Sequence, residues 1–360
     1  MGLLRLLYDG EIPWVEELFS PHCELRRFAA PQPHPTDLTW AEAVLLRSVT
    51  QLAAAQVAHL RFVGSATIGI DHLPLEFLNQ QGIPWGHAPG CNAEAVADWV
   101  VLALTLWASQ QMQTLQGKVL GLVGFGHTGQ AVARRAPALG LQVATCDPLR
   151  TAAGEAGHLP LDELLANSDL VSLHVPLTRQ GAQATWGLLG QNTLPMLKQG
   201  ACLLNCSRGE VVVEADLLAQ RARLGGLLLD VFPHEPQPNL DLLRACNLAT
   251  PHVAGYSQAG KTQATWMLFQ AMAQRFGWSR VGKPLVPSTR FNWGNQSLAE
   301  GLEQLFGFLS LTQALQAATP FAQLRRDYPF RPEIAEIALA EVPPRLQPHL
   351  QRLGFRLEVV

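Results

Sequence analysis

Charge is scarce in this chain and nearly cancels. Charged residues fill 15% of its 360 positions, with 26 Lys and Arg against 29 Asp and Glu, for a formal net charge of -3. So balanced a chain has no general attraction for polyanions, which argues against a nucleic-acid partner. A phosphate-bearing ligand would need a local basic site. Long apolar runs are missing too: the longest, Trp99–Trp107, is too short to cross a bilayer, so no membrane partner is expected. The six cysteines (Cys23, Cys91, Cys146, Cys202, Cys206 and Cys246) are scattered through apolar runs with no Cys-x-x-Cys pair. That pattern argues against a metal site and for free thiols in a reducing, cytoplasmic setting. Internal repeats and low-complexity stretches are absent, and Met1-Gly-Leu-Leu-Arg-Leu-Leu reads as a first strand rather than a targeting segment. What remains is 48% hydrophobic, a composition that suits a globular enzyme of two or three domains.

Strand and helix patterns alternate along most of the chain. Strands are expected at 3–9, 25–28, 43–48, 61–67 and 83–87, with helices at 13–19, 51–59 and 74–81 and a proline-rich loop at 30–35. A long helix at 93–109 follows, its apolar face interrupted by Asp98. Further strands at 141–147, 169–176, 201–209 and 226–230 alternate with helices at 161–166, 193–198 and 214–224. Ser257 is placed to cap a helix running to Phe276. Such alternation implies a parallel sheet covered on both faces, with ligands beyond the carboxyl ends of the strands. Ser48, Thr67 and Asp71-His72 fall at such ends, although turn chemistry alone also favours these residue types there.

The stretch Lys118–Gln130 organises the rest. It reads as a buried strand, a glycine turn and the start of a helix, with Gly124, Gly126 and Gly129 at the G-x-G-x-x-G spacing. The first glycine turns the strand, the second admits a pyrophosphate close to the backbone, and the third lets the helix lie on the sheet. The N–H groups at the helix start, His127 and Thr128 among them, face the phosphates. Asp147 ends the next strand about 20 residues on, where a carboxylate accepts hydrogen bonds from the adenosine ribose. Pro137 lies deep in the following helix and predicts a bent or shortened last turn.

Three groups on later strand-end loops form a chemical set. His252 can take the hydroxyl proton of an alcohol while hydride leaves the carbon. Glu235 can accept the other imidazole N–H and stabilise the protonated ring. Arg208 can grip a carboxylate with two hydrogen bonds and polarise the developing carbonyl.

Gly124–Gly129 with Asp147, Asn205-Cys-Ser-Arg-Gly209, Asp230, His234-Glu-Pro236 and Pro251-His252 resemble the D-isomer-specific 2-hydroxyacid dehydrogenase family. The resemblance covers nearly the whole chain, including Leu324-Arg-Arg-Asp-Tyr328 and Leu353-Gly-Phe355 near its end. It implies an α/β protein in which a Rossmann-type NAD domain (94–252) is inserted in a flavodoxin-like substrate domain (1–93 and 253–285). A small α+β C-terminal domain (286–360) would make a homodimer. The implied activity is NAD-dependent oxidation of a small phosphorylated 2-hydroxy acid, with Arg208, Glu235 and His252 catalytic. Ser48, Thr67 and Tyr256 would touch the substrate; Asp230 and Gly255 would join Asp147 at NAD. Alternatives are a phosphoglycerate or glyoxylate/hydroxypyruvate enzyme of the same family, or a non-catalytic NAD-sensing protein of the same fold. The sequence departs from the family pattern at Val175, where Thr is usual, and at Phe232-Pro-His-Glu235, where Trp-Glu-Gly-Glu is more typical.

Overall fold

Alternation along the first strands sends successive side chains to opposite faces of one sheet. The computed structural model describes residues 2–279 and 281–358. They form two units, Met1–Asn92 with Ser257–Pro287, and Ala93–Tyr256 with Ser288–Val360. In the first unit the strands are β1 (Leu4–Asp9), β2 (Cys23–Phe28), β3 (Ala43–Leu46), β4 (Phe62–Ser65) and β5 (Trp85–Gly86). They pair in parallel in the order β2-β1-β3-β4-β5, a flavodoxin-like winding. Leu6, Ala43, Leu45 and Phe62 face one layer, where Leu268, Phe269 and Met272 of the helix Gln258–Phe276 pack on them. Leu7, Val44, Leu46 and Val63 face the other, under Leu38, Val57 and Leu78. The Ser257 hydroxyl caps the long helix by accepting from the Gly260 N–H at 2.9 Å.

The second unit is built on β6 (Val119–Val123), β7 (Gln142–Cys146), β8 (Leu170–Leu173), β9 (Cys202–Asn205), β10 (Gly226–Leu229) and β11 (Leu248–Ala249). All pairings are parallel, in the order β11-β10-β9-β8-β6-β7. One parallel bridge, Thr145 to His158, lies outside β7, where a Rossmann half carries its third strand. The helix Ala93–Gln110 is buried almost all round, as an interior helix must be.

The C-terminal segment adds β12 (Thr289–Asn292), β13 (Ile337–Ala340) and β14 (Arg356–Leu357), a second parallel sheet in the order β12-β13-β14. This segment, expected as a domain of its own, shares a core with the NAD-domain strands. Trp293, Phe306, Phe308, Ile337 and Leu353 lie in one apolar cluster with Trp99, Trp107 and Leu120. Asp98 makes the join specific. It is fully buried, with Arg135 at 2.8 Å and the Ile334 N–H at 2.8 Å. Arg331 from the segment donates to the carbonyls of Ala95 (2.6 Å) and Ala254 (2.9 Å). Burial pushes the Asp98 carboxyl up to about 6, against the pull of both arginines. The charge that interrupts an apolar helix face is therefore the anchor of the last segment.

Several element boundaries differ from the expectations. The expected loop at 30–35 runs into a helix, Pro35–Trp40, which Pro35 can open because the first turn needs no N–H there. The helix expected at 51–59 is only Ala54–Val57. In the C-terminal segment two helices, Leu298–Phe306 and Phe308–Gln316, are parted by Gly307 at φ 67. Pro137 acts as expected: the helix His127–Arg135 tightens to a 3-10 turn over Ala136–Leu139 before Gly140.

Candidate active site

Gly124 leaves β6 at φ 91, and a Cβ there would lie 2.5 Å from the His174 carbonyl oxygen beyond β8. Only glycine permits both that backbone and that approach. At Gly129 a Cβ would meet the Gly124 carbonyl oxygen at 2.2 Å, so the helix His127–Arg135 settles directly on the turn. Gly126 is different. Its φ of -69 suits any residue, and a Cβ would find nothing within 4 Å. The chain itself does not need glycine there; a phosphate that must approach the backbone does. Above it stand the unsatisfied N–H groups of the first helical turn, His127, Thr128 and Gly129, at the positive end of the helix dipole. β6 and β8 are neighbours with β7 outside, so this turn sits at the switch point of the sheet.

Asp147 follows β7. One carboxylate oxygen caps the short helix Pro148–Ala152 through the Arg150 N–H at 3.1 Å, and the other accepts from the Phe125 N–H at 2.8 Å. One bond to each oxygen leaves lone pairs for ribose hydroxyls. Arg150 would be the group to favour a 2'-phosphate, but its guanidinium is held by Glu155 at 2.7 and 2.9 Å. The open space at Gly126, the helix start and this carboxylate fit NAD. Asp147→Ala should lose most discrimination between NAD and NADP, chiefly by weakening NAD. Specificity constants for both cofactors check this, and an unchanged ratio would remove Asp147 from the ribose site.

Arg208, Asp230 and His252 follow β9, β10 and β11, three adjacent strands in register, with Leu229 opposite both Asn205 and Ala249. Asn205 builds the first turn. Its Oδ1 accepts from the Ser207 N–H (3.0 Å) and hydroxyl (2.7 Å), and its Nδ2 donates to the Arg208 carbonyl at 2.8 Å. The Arg208 guanidinium donates once, to its own chain at Ser207 (2.8 Å); its other N–H groups have no partner among the described residues. A Cβ at Gly209 would lie 2.0 Å from the Phe232 carbonyl carbon, so this turn is pressed onto the loop that carries Glu235.

Glu235 and His252 meet directly, Oε2 to Nδ1 at 2.7 Å, while Oε1 accepts from the Phe232 N–H at 2.9 Å. Burial alone would raise the Glu235 carboxyl, but the hydrogen bond and charge of His252 and the Phe232 N–H hold it below the usual range. An ionised carboxylate only accepts, so Nδ1 carries the proton and Nε2 of the neutral ring carries the lone pair. The ring is 31% exposed, so that free edge is within reach of a substrate.

Asp230, expected at the cofactor, is buried and occupied by the loop that carries His252. It accepts from the Thr250 hydroxyl (2.5 Å) and from the N–H groups of Val253 (2.8 Å) and Ala254 (2.9 Å). His252 itself sits at φ 58, its N–H bonded to the Asp230 carbonyl at 2.8 Å. Backbone strain at a functional side chain is held by this buried carboxylate. Gly255 and Tyr256 complete the same loop, and the Tyr256 ring packs on Phe330 at 5.6 Å. The His234-Glu-Pro236 motif revealed Glu235, and Pro251-His252 revealed the histidine. Asn205 was marked only as the first residue of Asn205-Cys-Ser-Arg-Gly209 and Thr250 by no motif; both act through other residues.

In the first unit, Ser48 and Thr67 follow β3 and β4, whose ends are paired at Leu46 and Ser65. Ser48 is exposed. The Thr67 hydroxyl donates to the Gly69 carbonyl at 2.8 Å and lies 2.6 Å from the Ser65 hydroxyl, which in turn bonds His72 at 2.8 Å. Burial lowers His72 and keeps it neutral. Thr67 is thus presented by a buried network, and its oxygen can still accept from a ligand. No helix among the described residues is long and apolar enough to cross a membrane, and no His, Cys, Asp and Glu group among them could hold a metal.

Comparison with known proteins places this arrangement. Residues 97–254 match the model of the D-isomer specific 2-hydroxyacid dehydrogenase NAD binding domain. An erythronate-4-phosphate dehydrogenase of Acinetobacter baylyi is 36% identical over 349 residues, covering 92% of this chain and 98% of that protein. One from Salinibacter ruber is 43% identical over 286 residues, covering 77% and 73%. Among solved structures, a Thermus thermophilus protein shares 29% identity at a TM-score of 0.63, covering 76% of this chain and 98% of that one. A D-lactate dehydrogenase from Aquifex aeolicus, complexed with NAD and lactic acid, shares the fold at 24% identity and a TM-score of 0.62, covering 76% and 96%.

Proposed function

The chain belongs to the erythronate-4-phosphate dehydrogenases of the D-isomer-specific 2-hydroxyacid dehydrogenase family, and on that premise we propose that it oxidises 4-phospho-D-erythronate at C2. The product is (R)-3-hydroxy-2-oxo-4-phosphobutanoate, on the route to pyridoxal 5'-phosphate. NAD, when bound, takes the hydride. The rest is done by the chain. His252 Nε2 takes the C2 hydroxyl proton. Glu235 keeps the ring in the required tautomer and stabilises the imidazolium that forms. Arg208 offers its unpartnered N–H groups to the substrate carboxylate and to the oxygen that becomes the carbonyl. Ser48, Thr67 and Tyr256 are assigned to the substrate, and the Gly124–Gly129 turn with Asp147 to the cofactor. Asp230 and Gly255 act where the His252 loop meets it.

The observation that carries this reading is the 2.7 Å contact between His252 and Glu235, with Arg208 on a neighbouring strand end. NADH fluorescence, followed with 4-phosphoerythronate, 3-phosphoglycerate and glycerate in turn, tests it. Turnover should be greatest with the first; preference for either of the others would reassign the substrate within the family, and turnover of none would favour a binding protein.

The homodimer is proposed on the resemblance alone, with the C-terminal segment as its interface and the cytoplasm as its place. Light scattering of the full chain should give twice the monomer mass of 39.2 kDa. A clean monomer at micromolar concentration would reject the dimer.

A further inference from the structure

The proposed substrate is anionic at both ends, and the catalytic set supplies one arginine. Arg208 is suited to the carboxylate beside the reacting carbon. The distal phosphate needs a second cation, and in a chain of net charge -3 that cation must be local.

The helix Phe321–Asp327 carries one. Phe321 is buried and meets Phe232 edge-on, centroids 6.1 Å apart, so the helix is fixed to the loop that holds Glu235. One turn on, the Arg325 guanidinium carbon lies 5.6 Å from the centre of the Tyr256 ring. Tyr256 is four residues past His252. The Arg325 charge also reaches Glu235, where it helps keep the carboxylate ionised. Yet Arg325 makes no hydrogen bond or ion pair among the described residues, and its Nε is buried without an acceptor. Its neighbour Arg326 is exposed and engages Asp327 at 3.1 Å. A half-buried guanidinium that makes no hydrogen bond or ion pair among the described residues, lying over the Tyr256 ring and within electrostatic reach of Glu235, is suited to receive an anion.

We propose that Arg325 is the specificity residue for the distal phosphate of the substrate. The C-terminal segment would thus contribute to recognition within its own chain, in addition to any role in assembly. This inference rests on the substrate reading above. It names phosphate rather than carboxylate because Arg208 already serves the carboxylate, and a phosphate offers three acceptor oxygens to a five-donor fork.

The test compares 4-phosphoerythronate with unphosphorylated erythronate in wild type, Arg325→Gln and Arg325→Lys, with NADH affinity measured on each protein. Loss of a charge-assisted pair should lower the preference for the phosphorylated substrate, as a ratio of specificity constants, by about tenfold or more in Arg325→Gln, mostly through KM. Arg325→Lys should recover part of it, since an ammonium still binds phosphate as a point charge. Competitive inhibition by inorganic phosphate should weaken in parallel. An unchanged ratio overturns the proposal. So does an equal loss on both substrates with a shifted pH profile, which would make Arg325 only an electrostatic neighbour of Glu235. If Arg325→Gln fails to bind NADH, Arg325→Lys decides: a lower ratio and weaker phosphate inhibition support the site, and wild-type values for both reject it. Failure of the substrate reading looks different. Wild type would then not prefer 4-phosphoerythronate, while phosphate inhibition would still depend on Arg325 if the anion site is real.

Discussion

His252→Ala should lose about 10²–10⁴ in kcat in both directions, the range that a positioned acid–base group contributes. The reason is geometric. With Nδ1 bonded to Glu235, only Nε2 is free to take the hydroxyl proton during oxidation or return it during reduction. Nothing else in the set can substitute: Glu235 is spent on the ring and on the Phe232 N–H, and Arg208 has no lone pair to offer. NADH affinity should survive, because the glycine turn and Asp147 follow β6 and β7, at the far edge of the sheet from β11. Steady-state turnover and an NADH fluorescence titration on the same protein check both halves. Turnover within a few-fold of wild type would mean that another group carries the proton. Loss of NADH affinity would mean that the φ 58 turn collapsed, with Asp230 left to hold an alanine.

Arg208→Lys should lose about a hundredfold or more in specificity constant, which corresponds to roughly 2.7 kcal/mol of transition-state stabilisation. Charge is kept in this variant and shape is lost. The guanidinium is planar and can hold a carboxylate and a developing carbonyl oxygen at once, whereas an ammonium is a point charge on a flexible stem. The Arg208 turn is rigid, fixed by Asn205 and pressed against Phe232, so a shorter reach cannot be recovered by backbone movement. Substrate kinetics at saturating NAD measure the effect. A near-wild-type lysine variant would place Arg208 outside the chemistry.

Both residues were legible in the sequence because chemistry there is tied to local motifs. A glycine turn between strand and helix, an arginine before Gly209, and a histidine after Pro251 each sit at a strand end, and strand ends are what an alternating pattern locates well. The sheets were legible for the same reason, since parallel strands buried on both faces read as apolar runs. The boundaries were less so. Pro35 opens a helix and Gly307 ends one, and either residue can also mark a loop. The C-terminal segment was the least legible part. Asp98 could be seen to interrupt an apolar helix, but its partners Arg331 and Ile334 lie more than two hundred residues away, at contacts no local pattern encodes. Asp230 shows a similar limit: the family resemblance implied a place at the cofactor, and the structure gives its oxygens to Thr250, Val253 and Ala254.

The central claim is that Glu235 and His252 work as one acid–base pair. It is tested most directly by the pH profile of kcat/KM in both directions, for wild type and Glu235→Gln. Glu235 is held below the usual carboxylate range, so it stays charged through the neutral region and does not itself titrate there. Oxidation needs the ring neutral when substrate arrives, and reduction needs it protonated. Oxidation should therefore rise with pH and reduction fall. In Glu235→Gln the amide can still hold the ring, but the charge is gone. The oxidation plateau at high pH should then drop for want of imidazolium stabilisation, and the reduction plateau at low pH should drop with it. Wild-type plateaus in Glu235→Gln, in both directions, would contradict the pairing.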